Sequence, residues 1–414
     1  VTPTTDRDPF ARRCRDFLDA HAEGCGEAAE DDLERPDTVP IFDSPERSVE
    51  EQQLKRARTW QRALYDEGLA WITGPREYGG AALDHRCQEI FEETCAHYRL
   101  PKLNTLFVTL HIILPGLLAA ASEELKLKLV PAILRGDIIA CQLFSEPGAG
   151  SDLSAVSTRA VRDEGGWVVT GQKVWTSGGH YSDIGLLLAR TGDDAIPHRR
   201  LTMFVADMHD PAIEVRPLRE MSGGAHFNEV FIEALHIPDN HRVGDVNKGW
   251  AVAMATLVGE RKAVGNSSED PNWVVVQRLV ELAAMAAEKR QLPATILDAV
   301  LDCYVLGTAV EHTAANLLAA EREGNLMGPE MSVLKLLRNR LLRNCIDTAS
   351  HILGMNMLAD TGEWGTFAWG RASTLAPGLR IGGGTDEIQR NIIGERLLGL
   401  PRDRTSHHSN LAID

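Results

Sequence analysis

The chain has 414 residues, 43% of them hydrophobic and 25% charged, with a formal net charge of −16. That composition excludes intrinsic disorder and leaves room for about two to three domains with a large core, while the acidity excludes proteins that coat nucleic acid or anionic membranes. Seven cysteines, odd in number and without a Cys-x-x-Cys spacing, point to reduced thiols rather than a disulfide framework or a zinc site, and no metal is expected.

From Val1 to Asp8 the chain is polar and lacks the apolar core of a secretory signal. Phe10, Cys14, Phe17 and Leu18 fall at i, i+4, i+7 and i+8 and predict a helix with one apolar face. Helix is again predicted from Gln53 to Glu67, with Trp60 and Leu64 turned inward, and from Ser122 to Leu134, where Pro131 marks a break and Gly136-Asp137 a stop. The longest apolar run, Leu110 to Ala121, is interrupted by His111 and Pro115 and is too short to span a bilayer, so a cytoplasmic protein is expected.

Beyond Ile138 the texture changes to short β-rich runs. Trp167-Val168-Val169 follows the turn signal Asp163-Glu164-Gly165-Gly166, and strands are predicted at Ile184 to Ala189, Leu201 to Ala206, Ile213 to Leu218 and Asn228 to Ile232. This spacing predicts an antiparallel sheet or barrel. From Trp250 onward the pattern is helical, with Val333, Leu336, Leu337 and Leu341 on one helix face and Gly382-Gly383-Gly384 ahead of a last helical stretch, Glu387 to Leu398. The expected architecture is α+β: a helical domain over 1–137, an antiparallel β-domain over 138–244 and a helical bundle over 245–414.

Three stretches carry chemistry. Phe144-Ser145-Glu146-Pro147-Gly148-Ala149-Gly150-Ser151-Asp152 places small residues and hydroxyls where backbone can approach a ligand, although such a composition alone also fits an ordinary turn. The others are Gly171-Gln172-Lys173-Val174-Trp175-Thr176-Ser177-Gly178-Gly179 and Gly383-Gly384-Thr385-Asp386-Glu387-Ile388-Gln389-Arg390-Asn391. In this combination and order the chain resembles the acyl-CoA dehydrogenase family over essentially its whole length. Supporting stretches are Pro75 to Gly80, Leu129 to Gly136, Asn228 to Pro238 and Glu395 to Arg402.

The resemblance implies a helical, a β and a four-helix-bundle domain, with FAD between the last two, and oxidation of the Cα–Cβ bond of an acyl thioester. It further implies that Phe144 and Ser145 lie along the flavin, Gly150 and Ser151 meet an FAD phosphate, Trp175 and Ser177 flank the isoalloxazine, and Thr385 and Glu387 contact FAD. For Trp175 the competing reading is a core aromatic at a strand end. Such a reaction needs a carboxylate to take the α-proton and a donor to polarise the thioester carbonyl.

Two departures from the family pattern stand out. Where many members carry the catalytic glutamate this chain has Gly383, whose backbone N–H could still polarise the carbonyl. Isovaleryl- and long-chain acyl-CoA dehydrogenases carry it instead on a helix of the last domain, before an arginine, and Glu260-Arg261 matches that place. Glu260 is therefore the expected base and Arg261 a substrate contact; the competing reading is a solvated helix glutamate paired with Arg or Lys. Secondly, the family's Arg-x-x-Phe-Gly contact to a neighbouring subunit's FAD has no counterpart between Ala263 and Tyr304, and His351 and Met355 replace its later Gln and Gly. The resemblance implies acyl-CoA or acyl-carrier-protein thioesters as substrates, an electron-transferring flavoprotein as acceptor, and a homo- or hetero-oligomer, nominally a tetramer. A partner subunit without a complete site, and an oxidase or monooxygenase on the same fold, are the alternatives.

Overall fold

The computed structural model describes residues 8–24, 39, 47–265, 271–322, 328–359 and 366–401. By contact the chain divides into one unit of residues 1–34 and 44–260 and a second of residues 35–43 and 261–414.

The first unit opens with α1 (Pro9–His21), started by Asp8, whose carboxylate accepts from the Phe10 N–H at 2.8 Å. Its buried Cys14, Phe17 and Leu18 meet Trp60 and Leu64 of α2 (Arg47–Asp66), as their spacing requires. A third helix, α3 (His85–Cys95), precedes a π-helical turn (Val108–Ile113) that leads into α4 (Leu114–Ala120). Helix α5 (Glu123–Arg135) is capped by the Ser122 hydroxyl and ends at Gly136 in the left-handed conformation. Contrary to the sequence reading, α5 runs through Pro131 without a break. The carbonyl that Pro131 leaves without a donor belongs to Leu127, which is 49% exposed.

The short strands β1 (Glu23–Gly24) and β2 (Tyr98–Arg99) pair with each other. The main sheet comprises β3 (Ala140–Leu143), β4 (Arg159–Asp163), β5 (Gly166–Ser177), β6 (Ile184–Arg190), β7 (Leu201–Asp207), β8 (Ile213–Leu218), β9 (Phe227–Pro238) and β10 (Arg242–Val243). All five predicted strands are present, but the sheet is mixed, because β3 and β4 both run parallel to β6. A parallel pair needs a crossover rather than a hairpin, and here the loop after Leu143 together with the β4–β5 hairpin makes one. Strand β6 reads as a continuous apolar run because it feeds two cores. Leu186 and Leu188 face a core shared with α4 and α5, while Leu187 and Ala189 face a second with Trp167, Phe204 and Ile232.

Helix α6 (Gly249–Gly265) crosses the boundary between the units. The second unit contains α7 (Pro271–Lys289), α8 (Ala294–Arg322), α9 (Glu330–Leu353) and α10 (Thr366–Leu379), four helices around a core that includes Leu279, Cys303, Leu334, Cys345 and Trp369, then α11 (Asp386–Ile392). The predicted stripe on α9 divides. Leu341 is buried, whereas Val333, Leu336 and Leu337 line an open pocket of about 310 Å³ with Arg340 and Arg343. Among the described residues no helix is long and apolar enough to cross a membrane.

Candidate cofactor and active site

Placing Lys173 in the middle of β5 buries it completely, so its ammonium must find partners inside the protein. Its Nζ donates to the Phe144 carbonyl at 3.0 Å, the Leu188 carbonyl at 2.7 Å and Glu146 Oε1 at 2.8 Å. The buried Glu146 also accepts from the Ser157 N–H and hydroxyl, both at 2.6 Å, and from the Thr158 N–H at 2.9 Å. Burial opposes the charge on Glu146, yet Lys173 and these donors hold its carboxyl down at about 2. Burial likewise pushes the Lys173 ammonium down, to about 8, against the pull of Glu146. Both ends of the loop from Phe144 to Thr158 are thereby tied to β5.

Between those ties the loop is open. A Cβ built on Gly148 or Gly150 would meet nothing within 4 Å, and Ser151 is exposed. Ser145 fixes the loop to β5 through its carbonyl, which accepts from the Val174 N–H at 2.9 Å. The Phe144 ring instead lies in the core, 4% exposed.

Immediately after Lys173 the register of β5 against β9 slips, and at this bulge Trp175 takes φ 63°, the left-handed region that a bulky residue avoids. Its indole is 57% exposed and meets Phe227 edge-on at 5.6 Å. The core-aromatic reading of Trp175 therefore does not describe its position. Ser177 is half-buried, two residues on along the same strand.

In the second unit, Gly383 and Gly384 have φ 66° and 88°, and only glycine adopts two such residues in succession without strain. The turn is clamped by Gln389, which donates to the Gly383 carbonyl at 2.9 Å, and by Lys335, which donates to the Gly384 carbonyl at 2.5 Å. Among the described residues no acceptor meets the Gly383 N–H. Thr385 caps α11, its hydroxyl accepting from the Ile388 N–H at 3.2 Å, and Glu387 is exposed beside Arg390. Glu260 and Arg261 lie in α6, four and five residues after the buried Thr256; their side chains fall outside the described residues. His351 is exposed and its Nδ1 bonds the Asp347 carbonyl at 2.7 Å, a helix-end arrangement, and Met355 is 78% exposed.

Family models match the chain in three consecutive stretches, the acyl-CoA dehydrogenase N-terminal domain at 42–137, the middle domain at 141–234 and the C-terminal domain at 247–398. The chain belongs to the acyl-CoA dehydrogenase family. Members of this family are FAD flavoproteins. Acyl-CoA dehydrogenase FadE34 of Mycobacterium tuberculosis is 37% identical over 345 residues, 83% of this chain but 46% of the relative, so the chain spans less than half of that protein. Acyl-CoA dehydrogenase IpdE1 of the same organism is 33% identical over 355 residues, 86% of this chain and 90% of the relative. Among solved structures, the ChsE4-ChsE5 complex from Mycobacterium tuberculosis superposes with a TM-score of 0.70 at 24% identity, over 97% of this chain and 99% of that one. A glutaryl-coenzyme A dehydrogenase in complex with glutaryl-CoA gives 0.65 at 21% identity, over 89% and 100%. At these identities the structures speak for the fold.

The residues of the first unit fit the cofactor. An unhindered backbone at Gly148 and Gly150, an exposed Ser151 after it and an exposed indole on a strained bulge are features that suit a large planar ligand with phosphates. Glu146 and Lys173 stand in the sequence motifs with no role given to them there. The tie between them depends on which strands become neighbours, and only the Glu-to-Lys spacing across a predicted loop and strand hints at it.

Proposed function

We propose that this chain is an FAD-dependent dehydrogenase of acyl thioesters, converting an acyl-CoA or acyl-carrier-protein thioester to its trans-2-enoyl product. The observation that carries the reading is Trp175, an exposed indole held at positive φ one residue after Val174, whose N–H holds the Ser145 carbonyl at the base of the open loop. Strain of this kind persists where the surroundings over-determine it, and function is a common reason. Phe144, Ser145, Gly150, Ser151, Trp175 and Ser177 in the first unit, with Thr385 and Glu387 in the second, are the residues proposed to hold FAD. When bound, FAD supplies the acceptor for the hydride that leaves Cβ.

The protein's own contributions are two. Glu260 takes the α-proton, and the Gly383 N–H, which meets no acceptor among the described residues, donates to the thioester carbonyl so that this proton becomes acidic enough to remove. Gly383 has no side chain to act as base, which leaves Glu260 as the carboxylate for that step; Arg261 beside it is proposed to contact substrate. Electrons are proposed to pass on to an electron-transferring flavoprotein.

The chain is further proposed to work in an oligomer in which another chain completes the cofactor contacts. The missing arginine stretch and the exposed His351 and Met355 favour this, as does a relative, FadE34, more than twice as long as the matched region. The deciding experiment is an anaerobic titration of the purified protein with a panel of acyl thioesters, followed in the flavin absorption band. Bleaching by one chain class is expected, and a colourless protein indifferent to added FAD would overturn the reading. Glu260→Gln is expected to keep FAD and thioester binding while slowing flavin reduction about a hundredfold to ten-thousandfold; a wild-type rate would place the base elsewhere.

A further inference from the structure

Beside the strand that carries Trp175 and Ser177 runs a chain of three side chains, Glu50, His180 and Asn228, to which no role has been given so far. His180 Nε2 lies 2.8 Å from Glu50 Oε2 of α2, with the two side chains only 12% and 14% exposed. Asn228 of β9, 2% exposed, places its Nδ2 2.9 Å from the Thr176 carbonyl and 3.2 Å from His180 Nδ1. The polarity of this chain follows from its ends. A carbonyl only accepts, so the Asn228 amide must turn its NH₂ toward Thr176, and the same NH₂ then donates to His180 Nδ1. With Nδ1 accepting, the imidazole proton sits on Nε2 and is donated to the Glu50 carboxylate. His180 is thereby held in one orientation.

We propose that His180 is a positioning residue for the cofactor-facing bulge: oriented by Glu50, it locks the Asn228 amide so that Asn228 pulls on the Thr176 carbonyl. This rests on the reading above that the bulge faces FAD. The Thr176–Ser177 peptide plane is set by that bond, and with it the direction of the Ser177 N–H and hydroxyl and the support beneath the strained Trp175. A donor on the carbonyl also polarises the peptide and strengthens the Ser177 N–H as a donor in turn. Without the imidazole, Asn228 could rotate its amide and take its side-chain donor away from the carbonyl of Thr176, a wholly buried residue.

The test uses the full chain with Asn228→Asp, His180→Phe and Glu50→Gln. Asn228→Asp keeps the shape but sets a carboxylate oxygen against the Thr176 carbonyl; His180→Phe keeps a ring but removes the acceptor; Glu50→Gln keeps an acceptor for Nε2–H. Two quantities are read, amide hydrogen exchange over residues 174–179 in flavin-free protein and FAD affinity by quenching of flavin fluorescence. The first two variants are expected to exchange faster and bind FAD more weakly by about tenfold or more, the equivalent of one lost buried hydrogen bond, with Glu50→Gln within about threefold of wild type. Unchanged exchange in folded Asn228→Asp and His180→Phe would overturn the proposal. Should either fail to fold, Glu50→Ala decides, since the proposal requires faster exchange at 176–177 there too and an unchanged rate defeats it. If wild type binds no FAD, the cofactor reading fails, and the exchange arm still decides this one.

Discussion

Lys173 shows what an interior charge does at the scale of one residue. Lys173 and the hydrogen-bond donors hold the Glu146 carboxyl down at about 2, while burial pushes the Lys173 ammonium down to about 8 against the pull of Glu146. Desolvation offsets much of the attraction in a buried pair, so what this one delivers is the location of the loop between Phe144 and Thr158. Removing one partner should be severe. Lys173→Met is expected to cost about 3–5 kcal/mol in denaturant unfolding because it strands a buried carboxylate, whereas Lys173→Met with Glu146→Gln should lose less than the single change. The pH dependence has a definite sign. Because the folded carboxyl lies below its unfolded value, its contribution is present above pH 4.5 and is lost as pH falls from there toward 2. Stability should decline across that window in wild type and less steeply in the double variant. A wild-type-like slope in the double variant would assign the acid sensitivity to other groups.

Strand β5 is the element that gathers the site, and its irregularities matter more than its regular pairs. Trp175 pays for its left-handed backbone, about 1–2 kcal/mol for an L-residue, and makes few buried contacts in return. Trp175→Gly is accordingly expected to leave thermal stability within about 1 kcal/mol of wild type, where truncation of a core tryptophan would cost about 3–5, while FAD affinity falls. A large loss of stability with FAD binding intact would return Trp175 to the role of a packed aromatic. Further along the same strand, a Cβ on Gly171 would lie 2.3 Å from the Thr158 hydroxyl and 2.7 Å from its Cα, so Gly171→Ala should cost about 1–3 kcal/mol by forcing β4 and β5 apart. Helix α8 shows the opposite pattern, an apolar stripe left uncovered: Leu297, Leu301, Tyr304 and Val305 are 45–67% exposed at helical spacing. If the proposed oligomer buries this stripe, Leu301→Glu should shift the mass measured by light scattering toward monomer without unfolding the protein, and an unchanged mass would place the interface elsewhere.

At the scale of the whole molecule, a ligand that binds only the folded protein adds its binding energy to stability. Free FAD at a hundred times its dissociation constant should add about 2.7 kcal/mol, read as a raised melting midpoint that follows FAD concentration. A midpoint indifferent to FAD would count against the proposed cofactor. The oligomer proposal adds a stoichiometric expectation: flavin per chain should reach saturation only in the assembled species, and a flavin-saturated monomer would refute it.

Helix α1, the hairpin from Asp163 to Gly166 and strand β8 were legible because their signals are local: an apolar face at helical spacing, a Gly-Gly turn, a run bounded by breakers. The motifs at Phe144, Gly171 and Gly383 were legible in the same way, since glycine spacing reports directly on backbone that must bend or stay bare. Pro131 was misread because whether a proline breaks a helix depends on what surrounds the carbonyl it leaves free, and that is a tertiary fact. The parallel pairing of β3 and β4 with β6, the burial of Lys173 against Glu146, and the line from Glu50 through His180 and Asn228 to Thr176 were likewise decided only by folding. Each joins residues from 27 to 130 positions apart, as Lys173 to Glu146 and His180 to Glu50. Residue type alone does not choose among the carboxylates that could serve a buried lysine; only the neighbours a sheet creates, in a space without water, make one pairing the sole means of satisfying the charge.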